Sequence, residues 1–318
     1  MRTLVIAVAL LALCAPLPAA AAEKDKDRVG EVAVLKSDSL TPYANAVAGF
    51  SAECRTEVAE YDLREDATRA EKIVKELQAS KPSLIFALGP LAANTAKRAF
   101  DDIPIVFAMV PNWEKYGLEA KNVTGVALQR PVKTQLETLK ALAQGAKRIG
   151  VLYNPRYTKS VIDTAVDAAK SLSITLVAVK VETPEEVPAA VKALAGKVDA
   201  LWMIADRAVA NPDAVQAIIK FALDNKVPVF ALSEQQVKDG ALVSLSPNYT
   251  AMGQQAGKIA NKIIDQKLAP GSLMVAQPDG LDLAINLSTA KQIGAECNLA
   301  LEIFKFAAKQ GYPIRVFE

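Results

Sequence analysis

Apolar residues along this chain come in short runs that stop abruptly at polar ones, and segments of helical period separate the runs. The stretch 198–249 shows the pattern most clearly. An apolar run over 200–205 ends at Asp206, a helix-like segment follows, and a second run over 227–232 ends at Ser233 and Glu234. Short apolar strands that each lead through a helix to the next are the mark of βαβ units in a parallel sheet. Ligands of such sheets bind beyond the carboxyl ends of the strands. Asp206, Ser233 and Glu234 are therefore the first candidates for function.

The same alternation predicts strands over 31–36, 58–63, 83–88, 105–110 and 123–128, with helices over 40–52, 68–79 and 91–100. Ala70, Ile73, Val74 and Leu77 carry the 3.6-residue period of an amphipathic helix. The pattern then restarts, with helices over 134–143, 160–172 and 185–194 and strands over 148–153 and 175–181. The opening stretch follows, and a strand over 241–245. Two local pairs show the repeat: KPSLIFALGP with KVDALWMIAD, and IPIVFAMVPN with VPVFALSEQ. The fold class expected is α/β, two Rossmann-like lobes with parallel sheets in tandem. Beyond them come a long helix over 250–267, short strands over 273–276 and 282–286, and a helix over 288–293 with Ser288 as its N-cap. The tail from Ala295 holds Phe304, Phe306, Tyr312 and Phe317 and is expected to dock on a lobe.

Composition narrows the function. With 318 residues, 51% of them hydrophobic, the chain can bury two cores. The formal net charge is only +2 and the basic residues are spread along the chain, so nucleic acid is not an expected partner. There is no histidine, which removes the commonest general base and transition-metal ligand together. Residues 1–22 read as a cleaved signal peptide: one Arg, an apolar core, then small residues up to Ala22. Cys14 follows Leu13 where a lipidation site has a small residue, which argues against a lipid anchor. Cys54 and Cys297 remain after cleavage; a disulfide between them and two separate thiols both stay open.

Phosphate-cradling loops of the GxGxxG and GxxxxGK[ST] types are absent, as are a GxSxG nucleophile elbow and any CxxC. An enzyme is not expected, nor a cofactor or metal. What the strand ends offer is a set of binding groups. Ser37, Asp38, Ser39, Gly89, Pro90, Asn112 and Trp113 come from the first half. Asn154, Tyr157, Asp206, Arg207, Ser233 and Glu234 come from the second, and Tyr249 stands at a crossing between them. Hydroxyls and helix N-termini suit a carboxylate. Asp206 and Glu234 suit an ammonium, and Tyr and Trp suit an apolar or aromatic body. Plainer roles stand beside these: Ser37 to Ser39 as caps of the first helix, Asp206 paired with Arg207, Trp113 as a cover over its lobe, and Trp202 as core.

The stretches LKSDSLTPY, LIFALGPLAA, AKRIGVLYNP, VDALWMIADRAV and VPVFALSEQQVKDGALVSLSPNYTAMGQQAG together carry a resemblance over about residues 32–292. The chain resembles ABC-transporter substrate-binding proteins of the type I periplasmic-binding class, in the group that binds tryptophan, tyrosine or phenylalanine. The resemblance implies lobes of residues 30–127 plus 249–276 and 128–248 plus 277–318. It implies three crossings, near Leu128, 247–249 and Gln277, and a ligand enclosed between the lobes. It also implies a periplasmic monomer that hands a small molecule, such as an aromatic or branched amino acid, to a membrane permease. Two alternatives accompany it: a sensor that docks on a membrane receptor, and a binder of an anionic or apolar metabolite that is not an amino acid. The sequence departs from the family pattern at Pro111-Asn112-Trp113 and at Arg207, both at the expected cleft.

Overall fold

The computed structural model describes residues 31–143, 145–294 and 298–318. The expected signal peptide, Cys14 and Cys297 lie outside the described residues, and with Cys297 the expected disulfide. The first half runs β1 (Val32–Lys36), α1 (Thr41–Glu53), β2 (Val58–Asp62), α2 (Ala67–Ser80), β3 (Leu84–Leu88), α3 (Pro90–Ala99), β4 (Ile105–Ala108), a 3-10 turn (Trp113–Tyr116) and β5 (Val123–Gly125). These strands form one parallel sheet in the order β2-β1-β3-β4-β5, with Val32 opposite both Val58 and Leu84. All five residues of β3 are buried, because helices cover both faces of a parallel sheet.

The second half runs α4 (Val132–Leu142), β6 (Arg148–Tyr153), α5 (Pro155–Ser171), β7 (Thr175–Lys180), α6 (Val187–Lys192), β8 (Ala200–Trp202), α7 (Pro212–Asn225), β9 (Val229–Ala231), α8 (Glu234–Lys238) and β10 (Val243–Pro247). Then come α9 (Tyr249–Gln266), β11 (Leu281–Asn286), α10 (Leu287–Gln292), α11 (Asn298–Gln310) and β12 (Ile314–Phe317). The second sheet has the order β12-β11-β10-β9-β8-β6-β7 and is parallel except where β11 meets β10. From β7 to β10 it repeats the order of the first sheet. The two sequence pairs noted above fall on equivalent strands, β3 with β8 and β4 with β9.

Helix α9 leaves the second sheet and packs against α1 on the first. The approach is close because Gly49 and Gly253 face the partner helix: a Cβ on either would collide with Thr250 O or Ala46 O. Phe50 of α1 stacks on Phe86 of β3, ring centroids 4.2 Å apart, which seals that core. The chain thus passes between the sheets three times, after Val126, at 247–249 and at 277–280. The Asn248 amide stitches two of these passages, donating to Asp282 Oδ1 at 3.0 Å, while its backbone N–H donates to Gly280 O at 3.0 Å.

Four expectations change. Helix α5 starts at Pro155 and not at 160, because Asn154 caps it through the Arg156 amide and Pro155 fits the first turn. The cap of α10 is Asn286, which accepts from Thr289 N at 2.9 Å, and not Ser288. The strand expected over 273–276 is a single bridge from Ala276 to Val126. The helix over 185–194 shortens to a 3-10 turn (Pro184–Glu186) and α6. The tail docks on the second sheet: Ala300, Ile303 and Ala307 enter its core and β12 pairs with β11.

Candidate functional site

In an order of this kind the strand connections reverse direction between β1 and β3, and between β6 and β8, and such switch points leave a crevice. In the first lobe Ser37, fully buried, closes the crevice. Its Oγ accepts the Ala92 amide of α3 at 3.0 Å. The expected role of the serine motif as cap of α1 is thereby corrected: Leu40 is the N-cap there, with no side-chain bond, and Ser37 serves α3 instead. Gly89 caps α3 at φ 87°, with Pro90 in the first turn. A Cβ at Gly89 would lie 2.5 Å from the Tyr43 hydroxyl and 2.7 Å from Ser37 Oγ, so three groups meet in one tight spot. Burial first, then Glu65 and Asp38, push the Tyr43 phenol above its usual range.

Asp38 is half-buried, accepts the Ser39 amide at 2.7 Å and has no ion-pair partner among the described residues. The Ser39 hydroxyl donates to Asp62. Burial would raise the Asp62 carboxyl, but the Ser39 hydroxyl, the Arg64 amide and Lys36 outweigh it and hold the carboxyl low. Beyond β4, Met109 (φ 60°) and Asn112 (φ 48°) take left-handed backbone, and the Trp113 ring packs on Phe107 at 5.7 Å.

In the second lobe Asp206 does the closing. Its carboxylate is 1% exposed. Oδ1 accepts the amides of Ala208 (2.9 Å) and Val209 (3.4 Å); Oδ2 accepts the Asn154 amide (2.8 Å) and the Thr158 hydroxyl (2.5 Å). Four intrachain donors occupy the four lone-pair directions of a carboxylate. Glu234, at the start of α8 beside its N-cap Ser233, pairs with Lys238 at 2.8 Å and Arg315 of β12 at 3.2 Å. The two carboxylates expected to receive an ammonium are thus both engaged by the chain itself. Asp206 also makes no ion pair with Arg207, which is exposed and lies over the Tyr157 ring at 5.9 Å. Tyr157, half exposed, is where the lobes touch: Lys115 Nζ donates to its carbonyl at 2.5 Å.

A cavity of about 260 Å³ lies beside the crossings, and the candidate residues other than Tyr249 are not part of its wall. Its wall is mostly apolar: Trp202 and Met203 from β8 and just beyond, Phe230 and Leu232 around β9, Leu245 of β10, and Leu139 and Leu142 of α4. Tyr249, first residue of α9, closes it from the first-lobe side, and of the strand-end candidates it alone belongs to the wall. Burial raises the Tyr249 phenol. Gln129, Arg130, Gln135 and Thr138 add polar groups to the wall. Trp202 is therefore core and wall at once. Sequence reasoning missed Arg130 and Tyr43. Arg130 was within reach of the strand-end rule, since it follows the fifth apolar run by two residues. Among the described residues no group of three or more His, Cys, Asp or Glu could hold a metal, and no helix is long and apolar enough to cross a membrane.

Comparison with known proteins agrees with the two-lobed fold. A tyrosine-binding protein of Clostridioides difficile (strain R20291) is 30% identical over 240 residues, 73% of this chain and 69% of the relative. The ligand-free, open structure of a substrate binding protein with adhesive properties from Clostridium difficile superposes with a TM-score of 0.75. It is 24% identical, and the match covers 91% of this chain and 100% of that one. An ABC domain from Streptococcus pneumonia in complex with L-Trp gives a TM-score of 0.62 at 21% identity, covering 86% and 98%. Residues 55–309 match the family model for ABC transporter substrate binding protein. With two parallel-sheet lobes, a small cavity at their junction and a family match over most of its length, the chain belongs to the ABC transporter substrate-binding protein family.

Proposed function

We propose that this chain is the exported solute-binding component of an ABC importer and captures an aromatic or branched amino acid between its lobes. The observation that carries the reading is the cavity at the crossings. Its volume, about 260 Å³, falls just below the usual range of ligand pockets, roughly 300–1,000 Å³, which fits one amino acid better than a peptide or an oligosaccharide. Trp202, Phe230, Leu232 and Tyr249 suit an apolar or aromatic side chain. Of Asp38, Asp206 and Glu234, Asp38 is the least engaged within the chain, accepting one amide with no ion pair among the described residues, and closure of the lobes brings it toward the ammonium. Its charge acts on Tyr43, as does Tyr249 of the cavity wall, which relates the first-lobe switch to the cavity.

The lobes, residues 30–127 with 249–276 and 128–248 with 277–318, close on the ligand about the three crossings. A ligand that touches both lobes favours the closed form by its extra contacts. Asn112 and Trp113 of one lobe and Tyr157 and Arg207 of the other stand at the rim of the cleft, while Ser37, Ser39, Gly89, Pro90, Asn154, Asp206, Ser233 and Glu234 shape the turns that carry it. The closed form is presented to the permease in the periplasm. A second reading, an apolar carboxylate without an amino group, is favoured by the engagement of Asp206 and Glu234 within the chain.

A thermal-shift screen of amino acids, nucleosides, small carboxylates and apolar metabolites tests the proposal. A ligand at a hundred times its Kd stabilises by about 2.7 kcal/mol, or roughly 4 °C in a chain of this size. Aromatic or branched amino acids are expected to give such a rise. A screen in which all of them leave the Tm unchanged defeats the amino acid reading.

A further inference from the structure

The cavity wall is mostly apolar and Arg130 is the one charged residue among its described members; the environment of that guanidinium specifies a ligand group. Arg130 is half-buried, two residues before α4. Nη1 donates to the Tyr312 hydroxyl at 2.8 Å, and its carbonyl accepts from Gln135 Nε2 at 2.8 Å, which fixes the backbone beneath it. Nε and Nη2 have no hydrogen-bond partner among the described residues, and no carboxylate of those residues pairs with the charge. A half-buried guanidinium beside an apolar wall costs desolvation that one neutral phenol offsets only in part. Its free Nε–Nη2 edge is the planar fork that receives both oxygens of a carboxylate. Gln129, beside it on the wall, has no side-chain hydrogen bond to another described residue.

We infer that Arg130 is the specificity-determining residue for the ligand's carboxylate, and that the cavity takes a small molecule with a carboxylate at one end and an apolar or aromatic body at the other. This rests on the solute-binding reading above and names the ligand class within it. The C-terminal segment enters the site through Tyr312, which holds Nη1 and so leaves the other edge turned to the ligand. Trp202, Phe230 and Leu232 then receive the body, and the amino group, where present, plays no part at Arg130.

Isothermal titration of the full chain and of Arg130→Gln and Arg130→Lys tests this, with L-phenylalanine, its decarboxylated analogue phenethylamine, and 3-phenylpropionate as probes. Loss of a charge-assisted bidentate contact is expected to weaken both carboxylates about 10- to 100-fold in Arg130→Gln. Arg130→Lys should recover part of that, and phenethylamine should bind weakly and equally to all three proteins. Unchanged Tm of the variants without probe shows that they fold. Binding of 3-phenylpropionate but not L-phenylalanine, lost in Arg130→Gln, defeats the amino acid reading and leaves the carboxylate site standing. L-phenylalanine binding that is indifferent to Arg130 overturns the carboxylate site and leaves the amino acid reading standing. Failure of the unsubstituted chain to bind either carboxylate overturns the inference.

Discussion

The two switch points have the same strand order but close it differently. In the first lobe a neutral serine accepts one amide across the crevice, and Gly89 leaves just enough room for the Tyr43 hydroxyl beside it. In the second, a buried carboxylate gathers four donors from three segments, the turn after β8, the end of β6 and the first turn of α5. The first is closed by fit and the second by charge. One consequence is shared: at neither turn is the closing side chain left for a ligand. The neighbouring crossings keep a mostly apolar cavity and a guanidinium without an ion pair among the described residues, and it is there that we place recognition.

The contrast predicts an ordering of stability losses. Asp206→Ala, which strands four donors in a dry site, should cost the most, about 3–5 kcal/mol in urea denaturation. Gly89→Ala should come next, at about 2–3 kcal/mol, from left-handed backbone plus a methyl forced against Tyr43 and Ser37. Ser37→Ala loses one acceptor for an amide of α3 and should cost about 1–2 kcal/mol. If Ser37→Ala costs as much as Asp206→Ala, the distinction between fit and charge collapses.

The smallest effect belongs to the other end of β8. Asp199, immediately before that strand, holds Arg148 at 2.6 Å and accepts the amides of Lys147 and Arg148. Chiefly through the Arg148 hydrogen bond, its carboxyl drops from the ordinary 3.8 to about 2. A folded-state pKa below the unfolded one stabilises the fold above pH 4 and loses that contribution as pH falls through about 2. The pair is partly exposed, so Asp199→Asn should cost less than about 1 kcal/mol near neutrality. Melting curves of the two proteins should converge as the pH falls from 4 toward 2. A gap that stays constant over that range would mean that the carboxylate charge is not what holds the pair.

Much of the architecture was legible because burial on both faces writes each strand as an apolar run. Strand β6 was read at both ends, and the equivalence of β3 with β8 showed in ten residues. The first turn of α5 was missed because Arg156 and Tyr157 point to solvent and break the apolar period, although Asn154-Pro155 carried the start signal. Strand β12 was invisible for a related reason: its pattern of half-exposed residues, Ile314 to Phe317, reads as tail until β11 lies beside it. At the site, the sequence showed which residues stand at strand ends but not whose donors they meet. Asp38 and Asp206 look alike as letters after a strand. The difference is made by a turn that folds the amides of Ala208 and Val209 back onto one carboxylate. Of the cavity wall the candidates held only Tyr249, since Trp202 and Phe230 carry the same apolar signature whether they meet a neighbour or a hollow.

The central claim is that the ligand's body and carboxylate are received at the crossing cavity and not by the side chains that close the two turns, Ser37 and Asp206. The chain has two tryptophans, and only Trp202 is part of the cavity wall. Trp113→Phe leaves Trp202 as the sole indole, and its emission can be followed while L-phenylalanine or 3-phenylpropionate is titrated in. The account predicts a saturable change in Trp202 emission with the same Kd that calorimetry gives for that protein. Emission that stays flat while calorimetry records saturation would place the ligand elsewhere and contradict it.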